Sequence, residues 1–184
     1  MKLSSNLEKS ATTASALAQA YKHEFVMPEH LLLAFVGDPE GQKFSGDPDA
    51  RKTLEAVGVD LKVLSQKLKL FLRDNLSSIV LSSPREPEYS PAYQRLFQRA
   101  TLAARGENKE EVNSNNLLEA IFHLEDCSAK YYLEEQGVKR LDIQNFVVRG
   151  QTKNQAPKPR LAAPAAKTEG AGAETESFLA RFTV

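Results

Sequence analysis

The chain has 184 residues, 41% apolar and 26% charged, and its 24 basic and 24 acidic side chains cancel. That is enough chain for one well-buried domain, or two small ones with an appendage. No Lys/Arg block interleaved with aromatics argues for nucleic acid, no apolar run nears the roughly 20 residues of a membrane span, and MKLSSNLEKS lacks the apolar core of a signal peptide, so the reading is a cytoplasmic protein with no nucleic-acid or membrane partner.

Leu7, Ala11, Ala14, Leu17, Ala18 and Tyr21 fall three, four and seven apart, which predicts a helix from about residue 6 that ends in the polar run YKHE. A second helix begins near Pro28, since proline is favoured at the first helical position, where its missing N–H is no loss. Leu31 to Phe35 form its buried side. Met27, just ahead, offers no capping oxygen, and Glu29 near the positive end of the helix dipole partly compensates. GDPEGQKFSGDPDA, Gly37 to Ala50, reads as a loop because Gly, Pro and Asp dominate it. A third helix spans roughly Ala50 to Val57 and stops at Gly58, which can take the left-handed conformation that closes a helix. The fourth starts from Asp60 as a cap and runs Leu61, Leu64, Leu68 and Phe71 along one stripe.

The second half repeats the first. A shift of 86 lays Ala14 on Ala100, Ala18 on Ala104, Val26 on Val112, Leu31 and Leu32 on Leu117 and Leu118, and Ala34 on Ala120. Further on a shift of 79 lays Leu54 and Glu55 on Leu133 and Glu134, Gly58 and Val59 on Gly137 and Val138, and Leu64 on Ile143. The first copy therefore carries seven extra residues, placed in the Gly37 to Ala50 loop. In the second copy Asn113 or Ser114 caps the helix entrance. Between the copies SSPREPEYSP, Ser82 to Pro91, is a connector with three prolines and no periodicity. Residues 151–176, rich in Ala, Pro, Lys and Glu, cannot bury enough apolar surface to order themselves and read as a flexible linker. Residues 151–184 hold five Lys/Arg and three Asp/Glu, leaving 19 and 21 for the slightly acidic part before them.

No chemical constellation emerges. His23, His30 and His123 form no HExxH, since Met27 follows His23 by four, and the single cysteine, Cys127, reads as a small buried hydrophobe. GDPEGQK leaves three residues between Gly37 and Gly41 where a phosphate loop needs four, and Gln42 separates Gly41 from Lys43. No GxSxG elbow marks a nucleophile. The chain reads as a non-catalytic interaction module without cofactor or metal, against which a hidden enzyme would require a pocket of convergent polar groups.

HEFVMPEHLLLAF, YQRLFQRA, NLLEAIF and VKRLDIQNFV together resemble the N-terminal Clp-repeat domain of the ClpA-type, Hsp100 AAA+ unfoldases over about residues 1–150. The resemblance implies an all-α fold of eight helices, four per repeat (about 1–80 and 90–150), related by a pseudo-twofold axis. It also implies a linker at 151–176, and the start of an AAA+ module in SFLARFTV at 177–184, with ATP and magnesium confined to that module. The partners it implies are a ClpS-like adaptor delivering N-degron proteins, unfolded or tagged substrates, and ClpP through the full-length protein. Its adaptor-facing residues fall on Glu24, Glu29, Ser90 and Arg140, both acids being expected in solvent. Read from the residues alone, Glu24 is a solvated turn residue, Glu29 serves its helix dipole and Arg140 is a surface cation. A free-standing Clp-repeat accessory protein that regulates a Clp protease core is the alternative to a piece of an unfoldase.

Overall fold

Helices form where apolar side chains recur at helical spacing, and short extended pairs stitch their entrances together. The structure, a computed structural model, describes residues 1–40, 43–76, 79–83 and 85–150, and the expected linker and AAA+ lead-in lie outside the described residues. In chain order, β1 (Lys2–Leu3) leads into α1 (Ser5–Ala20), and β2 (Phe25–Val26) leads into α2 (Pro28–Val36), which is followed by α3 (Pro48–Ala56) and α4 (Leu61–Asp74). Then β3 (Glu88–Tyr89) leads into α5 (Pro91–Gly106), and β4 (Glu111–Val112) leads into α6 (Ser114–Ile121), which is followed by α7 (Ser128–Glu135) and α8 (Arg140–Arg149). Four helices per copy match the predicted all-α architecture.

Every residue of α2 is buried, so the dense run Leu31 to Val36 is apolar on all sides and not along one stripe. Its counterpart α6 buries Leu117, Leu118, Ala120 and Ile121. The remaining helices pack one face against this pair. On α4 the buried face is Leu61, Leu64, Leu68 and Leu72; Phe71, expected on it, is only partly buried against Tyr132.

The pseudo-twofold relation is written in the backbone pairing. β1 pairs in parallel with β4, Lys2 opposite Glu111, while β2 pairs in parallel with β3, Phe25 opposite Glu88. The lead-in of each copy thus binds the helix entrance of the other. No sequence signal marks these two-residue ladders, because so short a pair has no alternation to detect.

The first copy's extra residues are partly helical. α3 begins at Pro48 and not Ala50, since Asp47 caps it by accepting from the N–H groups of Asp49 and Ala50, both at 3.0 Å. The loop before it closes on itself where Gly37 (φ 80) and Gly46 meet, a Cβ on Gly37 falling 2.5 Å from the Gly46 nitrogen.

Candidate functional site

The two copies differ at their helix entrances in a way that isolates one carboxylate. In the second copy Asn113 caps α6 by accepting from Asn116 N–H, and Asn116 Oδ1 accepts in return from Asn113 N–H at 3.2 Å. In the first, Met27 supplies no cap, but His30 Nδ1 accepts from Met27 N–H at 2.9 Å, filling the role that Asn116 plays. That acceptor nitrogen carries no hydrogen, so His30 Nε2–H donates to His23 Nδ1 at 2.8 Å. Both rings are buried and neutral. Burial, then the proximity of His23, pushes the His30 pKa down to about 3, and burial lowers that of His23.

Glu29, expected in solvent, is 2% exposed. Its carboxylate does not serve its own helix. Oε1 accepts from the N–H groups of Ser128 at 3.0 Å and Ala129 at 3.2 Å, with Cys127 Sγ at 3.7 Å, so Glu29 caps α7 in the other copy. The same two positions of α3, Asp49 and Ala50, are capped by that helix's own Asp47. Cys127, just ahead of α7, gives no capping bond, and the helix borrows its cap across the pseudo-twofold axis. The reciprocal contact runs from Thr53 of α3, whose hydroxyl donates to Asn115 Oδ1 at 2.7 Å.

The second oxygens of these two capping acids meet different fates. Asp47 Oδ2 accepts from Ser10 Oγ at 3.1 Å and from Ser114 Oγ. Around Glu29 the corresponding places hold Leu96 of the second copy and Pro28 of the first, which cannot donate there. Glu29 Oε2 is accordingly buried with no hydrogen-bond partner.

Glu24 and Ser90 lie on one ladder. Glu24 O accepts from Glu88 N–H at 2.8 Å, and Ser90 N–H donates to Val26 O at 3.1 Å. The Glu24 side chain is half-buried and in no salt bridge among the described residues. Ser90 is buried; its Oγ caps α5, accepting from Tyr93 N–H at 3.2 Å, as Ser4 Oγ caps α1, accepting from Leu7 N–H at 3.3 Å. Arg140 stands exposed at the first position of α8, its Nη1 donating to His123 Nε2 at 3.1 Å. The fold therefore groups Glu24 with Ser90, sets Glu29 just along the chain, and ties Arg140 to His123 just after α6. No cluster of His, Cys, Asp and Glu among the described residues could hold a metal ion. No helix among them is long and apolar enough to cross a membrane.

The family described as Clp repeat (R) N-terminal domain matches residues 2–136. The chain belongs to the Clp-repeat N-terminal domain family. A ClpA homolog protein of Fuscovulum blasticum is 38% identical over 152 residues, which cover 82% of this chain but 18% of that relative. This Clp-repeat chain thus spans under a fifth of the length of that relative. Among solved structures, the Hsp104 N-terminal domain of Candida albicans matches with a TM-score of 0.64 at 19% identity, covering 83% of this chain and 95% of that one. A ClpV N-domain in complex with a VipB peptide matches with a TM-score of 0.59 at 20% identity, covering 80% and 86%. Similarities at that level establish the fold of the Clp-repeat domain.

Asp47 lies in the extra loop, where Asp and Pro read locally as turn residues. The DP pair there is an N-cap followed by proline at the first helical position, a local signal that was present. The trans-capping by Glu29 had no local signal at all.

Proposed function

We propose that this Clp-repeat chain is the substrate- and adaptor-docking domain of a ClpA-like unfoldase. It takes a ClpS-type adaptor that presents N-degron proteins for degradation, with ClpP engaged by the rest of the protein, and performs no catalysis of its own. The docking residues are Glu24, Glu29, Ser90 and Arg140. The observation that carries the reading is the half-buried Glu24 carboxylate, in no salt bridge among the described residues and on the same ladder as Ser90, beside an entrance where Glu29 Oε2 lacks a hydrogen-bond partner. A charge-assisted hydrogen bond from a partner's donor to an accessible carboxylate such as that of Glu24 contributes about 1.5–3 kcal/mol. Half-buried Glu24 and the hydroxyl hydrogen of Ser90 flank the same entrance. The peptide-bound ClpV N-domain, with the same fold, supports a protein-docking role in general terms.

Glu29→Lys would bury an ammonium, so the informative change is Glu29→Gln. Glutamine retains an oxygen for the Ser128 and Ala129 N–H groups but turns the free acceptor into a donor. Calorimetry with a ClpS adaptor should show binding weakened at least about tenfold, a loss of about 1.4 kcal/mol, with little change in thermal midpoint. Glu24→Lys should act likewise, and Glu110→Lys, at the matching place in the second copy, should not. Wild-type affinity in both Glu24→Lys and Glu29→Gln refutes the reading.

A further inference from the structure

A groove of about 410 Å³ opens between α5, α6 and the start of α8, and its rim carries Arg99, Leu102, Glu119, His123 and Arg140. Since His123 Nε2 accepts from Arg140, that nitrogen is unprotonated and the ring is neutral. The His123 pKa is lowered by burial first, then by Arg99 and Arg140, with Lys130 adding to the effect and Glu119 opposing it. Glu119 is already engaged, its Oε1 accepting from Gln144. Neither Arg99 nor Arg140 takes part in a salt bridge among the described residues. Two arginines and a neutral imidazole therefore line the groove with one occupied carboxylate, with Lys130 close enough to act on His123, beside a Leu102 that is 66% exposed.

The first copy has nothing comparable. At the places of Arg99, Glu119, His123 and Arg140 it carries Thr13, Leu33, Gly37 and Leu61. Its own groove, about 640 Å³, runs past Leu17, Tyr21, Leu33 and Phe44; of the two lysines on it, Lys69 is paired with Asp38 at 2.5 Å, and neither Arg nor His stands with Lys43 there. Two arginines set around a histidine belong to the second copy's groove and not to the first's, so the repeat's packing does not require them.

We propose that the α5–α6–α8 groove binds a carboxylate side chain from an acidic, leucine-bearing segment of a partner protein, and that binding draws a proton onto His123. The inference rests on the docking reading only for the partner's being a protein. With the groove free, a proton on His123 Nε2 would point at the Arg140 guanidinium. A carboxylate seated between them accepts from both, replacing a repulsion with two charge-assisted bonds. The bound state thus holds the histidine proton more tightly than the free state. By linkage, affinity rises as pH falls from 7.5 towards 6.

The test uses the 184-residue chain and two peptides, acetyl-Glu-Leu-Asp-Leu-Glu-amide and its uncharged counterpart acetyl-Gln-Leu-Asn-Leu-Gln-amide, titrated by NMR at low salt. The acidic peptide should bind at least about fivefold more tightly than the neutral one, and at least about twofold more tightly at pH 6 than at pH 7.5. It should also move the His123 ring-proton titration to higher pH. Arg99→Gln, a residue outside the adaptor set, should remove most of the preference, and His123→Asn should flatten the pH dependence while the preference persists. Equal affinity for the two peptides, or an undiminished preference in Arg99→Gln, overturns the site. An unmoved His123 titration overturns the proton coupling. Adaptor binding that is lost in Glu24→Lys but kept in Arg99→Gln would leave the docking reading standing without this groove.

Discussion

Acid should unfold this domain through its buried histidine pair before most of its carboxylates titrate. His30 is fully buried, accepts from Met27 N–H through Nδ1 and donates to His23 through Nε2, so neither ring has room for a second proton without breaking a bond. The His30 pKa stands at about 3 in the folded state against 6.5 for an ordinary histidine. A histidine held below its unfolded value contributes full stability above pH 6.5 and progressively less as pH falls towards 3, because the unfolded chain binds the proton that the folded chain refuses. Between pH 7.5 and pH 5 that difference is worth about 2 kcal/mol from His30 alone, with His23 adding in the same direction. Urea unfolding followed by circular dichroism at pH 7.5, 6 and 5 measures it. The comparison is His30→Asn, which places at the first entrance the residue that Asn116 supplies at the second. The variant should lose less than about half as much stability over the same range. Equal losses in the two proteins would show that the pair is not what senses acid.

Three further outcomes follow from buried contacts. Asp47→Ala removes the α3 cap and strands the hydroxyls of Ser10 and Ser114, and should lower stability in urea by about 2–4 kcal/mol; a loss under about 1 would refute its hub role. The Cys127 thiol is pushed up to about 12, by burial and then by the Glu29 carboxylate, so it should react with a disulfide reagent at pH 8 at least about 100-fold more slowly in the folded chain than in urea. Gly37→Ala forces a side chain onto a backbone at φ 80 and into the Gly46 nitrogen, and should cost about 1–3 kcal/mol by thermal unfolding.

What the sequence determined by itself is the part governed by local spacing and by self-similarity. Leu7, Ala14 and Ala18 mark α1, Leu61, Leu64 and Leu68 mark α4, and the shifts of 86 and 79 pair the copies, because helical period and loop length act over a few residues and survive in a single chain. Asp60 was legible as a short polar cap ahead of an apolar period, whereas Ser90, read only as part of the connector and an adaptor-facing residue, is a buried cap of α5. What only the tertiary structure decided is where each acid's oxygens end. Glu29 looks like a helix-dipole acid from its neighbours, yet its bonds go to Ser128 and Ala129, about a hundred residues along the chain. Those partners are chosen by how two four-helix units pack. Whether the second carboxylate oxygen finds a donor depends on Ser114 standing at one entrance and Pro28 at the other. No local pattern encodes that pairing, because a hydrogen bond across the pseudo-twofold axis depends on distance in space and not on separation along the chain.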